Sequence, residues 1–90
     1  MQKRVELKIH GKVQGVFFRD STRNKARELN LSGYVKNKLD GTVEIVAEGQ
    51  KEMLQRLVGW CKEHPGYSKV EKVEVKWAEG AGKFADFIVR

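Results

Sequence analysis

Two features of the 90-residue chain have the residue types and spacing to do chemistry: the stretch Gly11-Lys12-Val13-Gln14-Gly15-Val16-Phe17-Phe18-Arg19 and, further on, Asn37. Gly11 and Gly15 let the main chain turn tightly and approach a ligand, because a residue without Cβ tolerates conformations that others avoid. If a helix begins just beyond Val16, its free N–H groups and the positive end of its dipole converge on the loop and form an anion site before any side chain is counted. Arg19 adds a planar fork that can bond two phosphate oxygens at once. A cation at the positive end of a helix is mildly disfavoured, so it asks for a compensating anion; the neighbouring Asp20 is the rival to a bound phosphate for that role. Asn37 by itself reads as a residue of local turn bonding, but if strands one and two lie near each other a neutral amide, one donor and one acceptor, can hold a water there. The loop is not a nucleotide P-loop, which needs Gly-Lys followed by Ser or Thr where Val16 and Phe17 follow Gly15. The dinucleotide fingerprint is absent too, leaving a generic anion loop.

The elements that must position these residues follow from periodicity. Val5, Leu7 and Ile9 alternate with Glu6, Lys8 and His10, the pattern of a strand with one buried face. After the loop, Phe18, Thr22, Ala26 and Leu29 share one helical stripe, with Asp20 or Ser21 available as cap and an end expected about Asn30. Residues 33–37 read as a second strand, Asp40-Gly41 as a hairpin turn, and Val43, Ile45 and Ala47 as the inward positions of a third strand. From Gln50 to Glu63, Met53, Leu54, Leu57, Val58 and Cys61 form a second apolar stripe, and the helix is expected to stop before His64-Pro65-Gly66. Val73, Val75 and Trp77 mark a fourth strand, Gly80-Ala81-Gly82 a turn, and residues 84–89 a short final strand. The order β-α-β-β-α-β, plus that tail, predicts an α+β fold: a ferredoxin-like sandwich with an antiparallel sheet and two helices on one face.

Length allows one domain, residues 1–90, and no apolar run approaches the roughly 20 residues of a membrane helix. The single cysteine, Cys61, excludes an internal disulfide and any cysteine-built metal site, which suits a reducing cytoplasm. The net charge of +6 is lopsided: ten Lys and Arg face four Asp and Glu up to Asp40, against eight and eight beyond it. Such a field could steer a small anion inward or serve as a nucleic-acid footprint, and charge alone does not choose.

The remaining reactive types have plainer readings. His10 and His64 have no carboxylate placed to make a triad and are expected to be structural or solvent-facing. Cys61 falls on an apolar stripe, and the Cys and Arg separated by five residues of a thiolate phosphatase are absent because Tyr67 occupies the Arg position. Trp60, Trp77, Tyr34 and the four Phe are expected to pack. No carboxylate pair or histidine cluster suggests a metal, and no cofactor is expected.

Taken together, Gly11 to Arg19, Gly33-Tyr34-Val35-Lys36-Asn37, Asp40-Gly41-Thr42-Val43-Glu44 and Glu48-Gly49 resemble an acylphosphatase over essentially the whole chain. The resemblance implies that Arg19 and the amides of Gln14, Gly15, Val16, Phe17 and Phe18 hold a phosphate while Asn37 orients the attacking water. Tyr34 stands where the family often has Trp, and His64-Pro65-Gly66 replaces a more usual Gly-Pro-Pro. The implied substrate is a small acyl phosphate, with inorganic phosphate as product and competitive inhibitor, and a cytoplasmic monomer is expected, with no nucleic-acid or membrane partner. The chemistry agrees: without metal, nucleophile or strong base, only a phosphate with a good leaving group such as a carboxylate should be cleaved. One rival is a non-catalytic anion or nucleic-acid binding module, but residues 5–9 and 42–48 lack the base-stacking aromatics such a sheet needs. The other is an acylphosphatase-like domain of a larger maturation protein; the end of the chain at Arg90 favours a stand-alone enzyme.

Overall fold

The computed structural model describes residues 2–63 and 68–90. Its elements run β1 (Lys3–Lys12), α1 (Phe18–Glu28), β2 (Ser32–Asn37), β3 (Val43–Gly49), α2 (Lys51–Lys62), β4 (Lys69–Glu79) and β5 (Phe87–Val89). They form one five-stranded sheet in the order β4-β1-β3-β2-β5. Alternation decides which face is covered. Val5, Leu7 and Ile9 are paired with Ala47, Ile45 and Val43, and all six are essentially fully buried. The helices lay their stripes over that face: Phe18, Thr22 and Ala26 from α1, and Leu54, Leu57 and Cys61 from α2. Each large side chain removed from water there contributes about 1.5–3 kcal/mol.

Four differences from the sequence expectation have physical causes. The extra strand β5 pairs with β2 in parallel, Gly33 opposite Phe87 and Val35 opposite Val89, so the sheet is mixed rather than antiparallel throughout. It is also shorter than expected, because residues 84–86 are spent on the approach. There the Phe84 ring meets Tyr34 edge-on and the Asp86 carboxylate meets Arg27. β4 is longer, pairing with β1 from Lys3 opposite Glu79 to Lys12 opposite Lys69, with a bulge between His10 and Gly11. α1 ends at Glu28, two residues early. Asn30 turns left-handed (φ 58°), and the Leu31 and Asn30 amides donate to the carbonyls of Ala26 and Arg27, a Schellman closure that stops the helix.

The aromatic residues divide. Phe18 and Phe87 are core, and Trp60 packs on Phe18 with ring centroids 6.0 Å apart. Phe17 and Trp77 are exposed, against the packing expected of them. Trp77 lies on edge strand β4, which the helices cover incompletely, and the cause of Phe17's exposure lies in the loop described below. His64, Pro65, Gly66 and Tyr67, and so the expectations about them, lie outside the described residues.

Candidate functional site

The site is built where β1 leaves the sheet and α1 begins. The bulge after His10 releases the strand, and Gly11 (φ 125°) is obligatory there because a Cβ would lie 2.0 Å from the Lys69 carbonyl oxygen. Val13, buried, and Val16, packed against the core, pin the loop from below. Between and beyond them Gly15 (φ 75°) and Phe17 (φ 61°) are left-handed, which inverts the chain locally and turns its amides toward one side. Nothing lies within 4 Å of where a Gly15 Cβ would stand. Over this loop sits a cavity of about 240 Å³ lined by Val13, Gly15, Phe17, Phe18, Arg19 and Asp20.

The helix start differs from expectation in a way that serves this cavity. Neither Asp20 nor Ser21 caps α1. Both lie inside its first turn, the capping position belongs to Phe17, and no side chain caps it. A left-handed Phe17 backbone starts the helix earlier than a Ser or Asp cap would. The first main-chain bond recorded there runs from the Ser21 amide to the Phe17 carbonyl, at 3.0 Å. Among the described residues, no amide from Gln14 to Asp20 donates to a main-chain oxygen. The loop amides and the first-turn amides are thus left together at the positive end of the helix, as an anion requires.

Arg19 is half-buried on the cavity wall and donates from Nη1 to the main-chain oxygen of Arg90, 3.3 Å away. The rival reading of Asp20 as its partner is not what the fold adopts. Asp20 faces Arg23 at 3.7 Å, and among the described residues no Asp or Glu side chain pairs with Arg19. Arg90 is itself fixed. Its amide donates to the Val35 carbonyl at 2.8 Å, and its guanidinium lies over the Tyr34 ring, 4.1 Å from the centroid.

Asn37 stands at the exposed end of β2, with β3 alone separating that strand from β1. The two strand ends are tied together by Gln14, whose Nε2 donates to the carbonyls of Lys38 and Thr42, both at 2.8 Å. One side chain therefore couples the loop to the residue after Asn37. The hairpin is further set by Asp40, whose Oδ1 accepts from the Thr42 amide at 3.0 Å and hydroxyl at 2.6 Å while its Oδ2 faces Lys8 at 3.1 Å. The Thr42 hydrogen bonds above all, with Lys8, hold the Asp40 carboxyl far below the usual carboxylate range.

Sequence reasoning included the Gln14 amide but not its side chain, and it missed the Arg90 carbonyl. An amide side chain between two loop glycines, facing a hairpin with two inward carbonyls, could have suggested the first. Nothing local to Arg90 signals the second.

Other candidates are placed elsewhere. Cys61 is fully buried, and burial pushes its thiol up to about 12, far from a nucleophile's range. His10 is not without a carboxylate: its Nε2 lies 2.5 Å from Glu74 across β1 and β4, and that bond holds the Glu74 carboxyl below its ordinary value. The sheet face opposite the helices is a mesh of paired charges, among them Lys8 with Asp40 and Lys36 and Lys38 with Glu44.

A sandwich whose first strand opens through a glycine loop onto a helix start, with an arginine that meets a main-chain oxygen and, among the described residues, no side-chain carboxylate, has the features of an anion-handling domain. The acylphosphatase family model matches residues 5–89. An acylphosphatase of Pelotomaculum thermopropionicum is 44% identical over 84 residues, covering 93% of this chain and 91% of its own. The crystal structure of acylphosphatase from Bacillus subtilis superposes with a TM-score of 0.93 at 34% identity, covering 98% of each chain. That from Coxiella burnetii does so with 0.86 at 42% identity, covering 99% of this chain and 93% of its own. The chain belongs to the acylphosphatase family.

Proposed function

We propose that the chain hydrolyses acyl phosphates to a carboxylate and inorganic phosphate by direct attack of water on phosphorus. The phosphoryl group sits in the loop cavity. The amides of Gln14 through Phe18 and the Arg19 fork donate to its oxygens, and Asn37 holds the water with one donor and one acceptor. The bond from phosphorus to the water oxygen forms as the bond to the acyl oxygen breaks, and the water's proton passes to a phosphoryl oxygen. A carboxylate leaves without prior protonation, so no acid is required of the protein. Positioning and charge stabilisation then carry the catalysis.

The observation that supports this reading best is Arg19, a cation at a helix N-terminus beside an open cavity with a main-chain oxygen as its protein partner. Gln14 supports the second half by tying the loop to the residue next to Asn37. The chain acts in this reading as a cytoplasmic monomer on a small-molecule substrate. Hydrolysis of acetyl phosphate in the presence of EDTA, with inorganic phosphate as competitor, tests the assignment. Arg19→Ala should lose both turnover and phosphate inhibition, while Asn37→Ala should keep phosphate inhibition and lose turnover. Turnover abolished by EDTA, or an Arg19→Ala protein still inhibited by phosphate, would refute it.

A further inference from the structure

Phe17 is the anomaly of the site. Its main chain is left-handed at φ 61°, a region that bulky side chains avoid, and its ring is 77% exposed. Where conformation alone matters the loop uses glycine, as at Gly15. The ring lines the same cavity as Arg19, so an apolar surface stands beside a polar anion site with no protein group covering it.

In-line displacement fixes which part of a substrate could meet that ring. The attacking and leaving oxygens lie on opposite sides of phosphorus. Asn37, which aims the water, belongs to the hairpin and lines a separate hollow formed by Lys36, Lys38, Leu39 and Asp40. The acyl group departs on the side away from Asn37, and of the residues lining the Arg19 cavity Phe17 is the exposed apolar one. Leu39 is more exposed still, but it lies on the water side.

We propose that the Phe17 ring is the platform for the acyl group, giving the enzyme a preference for acyl phosphates with apolar, and best of all aromatic, acyl chains. An apolar group resting on the ring shields area that is otherwise wet, and an aromatic acyl group adds stacking. This assignment rests on the anion-site reading above.

The test compares kcat/KM for benzoyl phosphate and acetyl phosphate. In Phe17→Asn, whose side chain tolerates the left-handed backbone, the benzoyl-to-acetyl ratio should fall about tenfold. Phe17→Tyr should retain the ratio, and Leu39→Ser should leave both values within about twofold of the parent. A second measurement needs no variant: across acetyl, butanoyl and hexanoyl phosphate, kcat/KM of the unaltered protein should rise with chain length. A flat series, an unmoved ratio in Phe17→Asn, or a ratio that follows Leu39 instead would overturn the proposal. The two readings fail differently. If Arg19→Ala still turns over both substrates, the anion site is misplaced and the acyl platform falls with it. If Arg19→Ala is inert while the Phe17→Asn ratio is unmoved, the platform alone is wrong.

Discussion

Helix α1 carries three arginines four residues apart, and its two ends treat them oppositely. Arg27, near the C-terminal end, meets Asp86 at 3.0 Å and donates to the Phe87 carbonyl at 3.2 Å. Arg23 in the middle faces Asp20. Arg19, in the first turn, meets the main-chain oxygen of Arg90 and, among the described residues, no side-chain carboxylate. The helix dipole favours a cation at the C-terminal end and disfavours one at the start, so the arginine with the worst intrinsic placement is also the one without a carboxylate. A structural arginine is satisfied within the fold. Arg19 is held by a main-chain oxygen instead of an Asp or Glu side chain, the arrangement that the proposed phosphate-binding role calls for.

The sharpest way to break this contrast is to remove each arginine in turn. Arg19→Ala should lower kcat/KM by about a hundredfold or more, since a well-placed donor to transition-state charge contributes roughly 3 kcal/mol. Phosphate should raise the melting temperature of the parent and not of this variant. Removing Gln14 asks whether the two halves of the site must be tied. Gln14→Ala removes two hydrogen bonds, although the Lys38 and Thr42 carbonyls keep the Gly41 and Lys38 amides as donors, so stability measured by urea unfolding should drop by about 1–3 kcal/mol. Its kcat should fall with phosphate affinity less affected.

Asp40 offers a finer test through pH. Its folded carboxyl is held below the usual range, so its stabilising contribution is present above the ordinary carboxylate pKa and is lost as pH falls through the depressed value. Asp40→Asn should therefore lower the urea midpoint at neutral pH, and the gap to the parent should narrow progressively as the buffer is taken down from the ordinary carboxylate range. The smallest effect belongs to the other end of the helix. Arg27→Ala breaks a pair with both side chains about half exposed, so thermal or urea unfolding should show a loss of about 1 kcal/mol or less. A large loss of turnover in Arg27→Ala with phosphate affinity intact would erase the distinction between the two ends.

Much of the fold was legible because burial imposes period on sequence. The alternation of Val5, Leu7 and Ile9 and the stripes through Ala26 and Leu57 could be read directly, and they specify a sheet with helices on one face. The loop was legible for a similar reason, as Gly11 and Gly15 interrupt the strand period before the helical stripe begins. Less legible was whatever depends on partners distant in sequence. The direction of β5 is fixed by its pairing with β2, and the helix cap by a left-handed phenylalanine where the sequence offers Asp20 and Ser21.

Local sequence suffices for the element order, the buried faces, and a glycine loop followed by an arginine between the first strand and helix. These follow from local periodicity, from glycine's missing side chain and from the charge of one residue. Only the tertiary structure decided that Arg19 is held by the Arg90 carbonyl and not by Asp20, that Gln14 joins loop to hairpin, and that the Phe17 ring faces water. Each of these depends on which strands lie side by side. The contacts of Arg19 and Gln14 reach residues 71 and 24 positions away, and no local pattern encodes such a pairing.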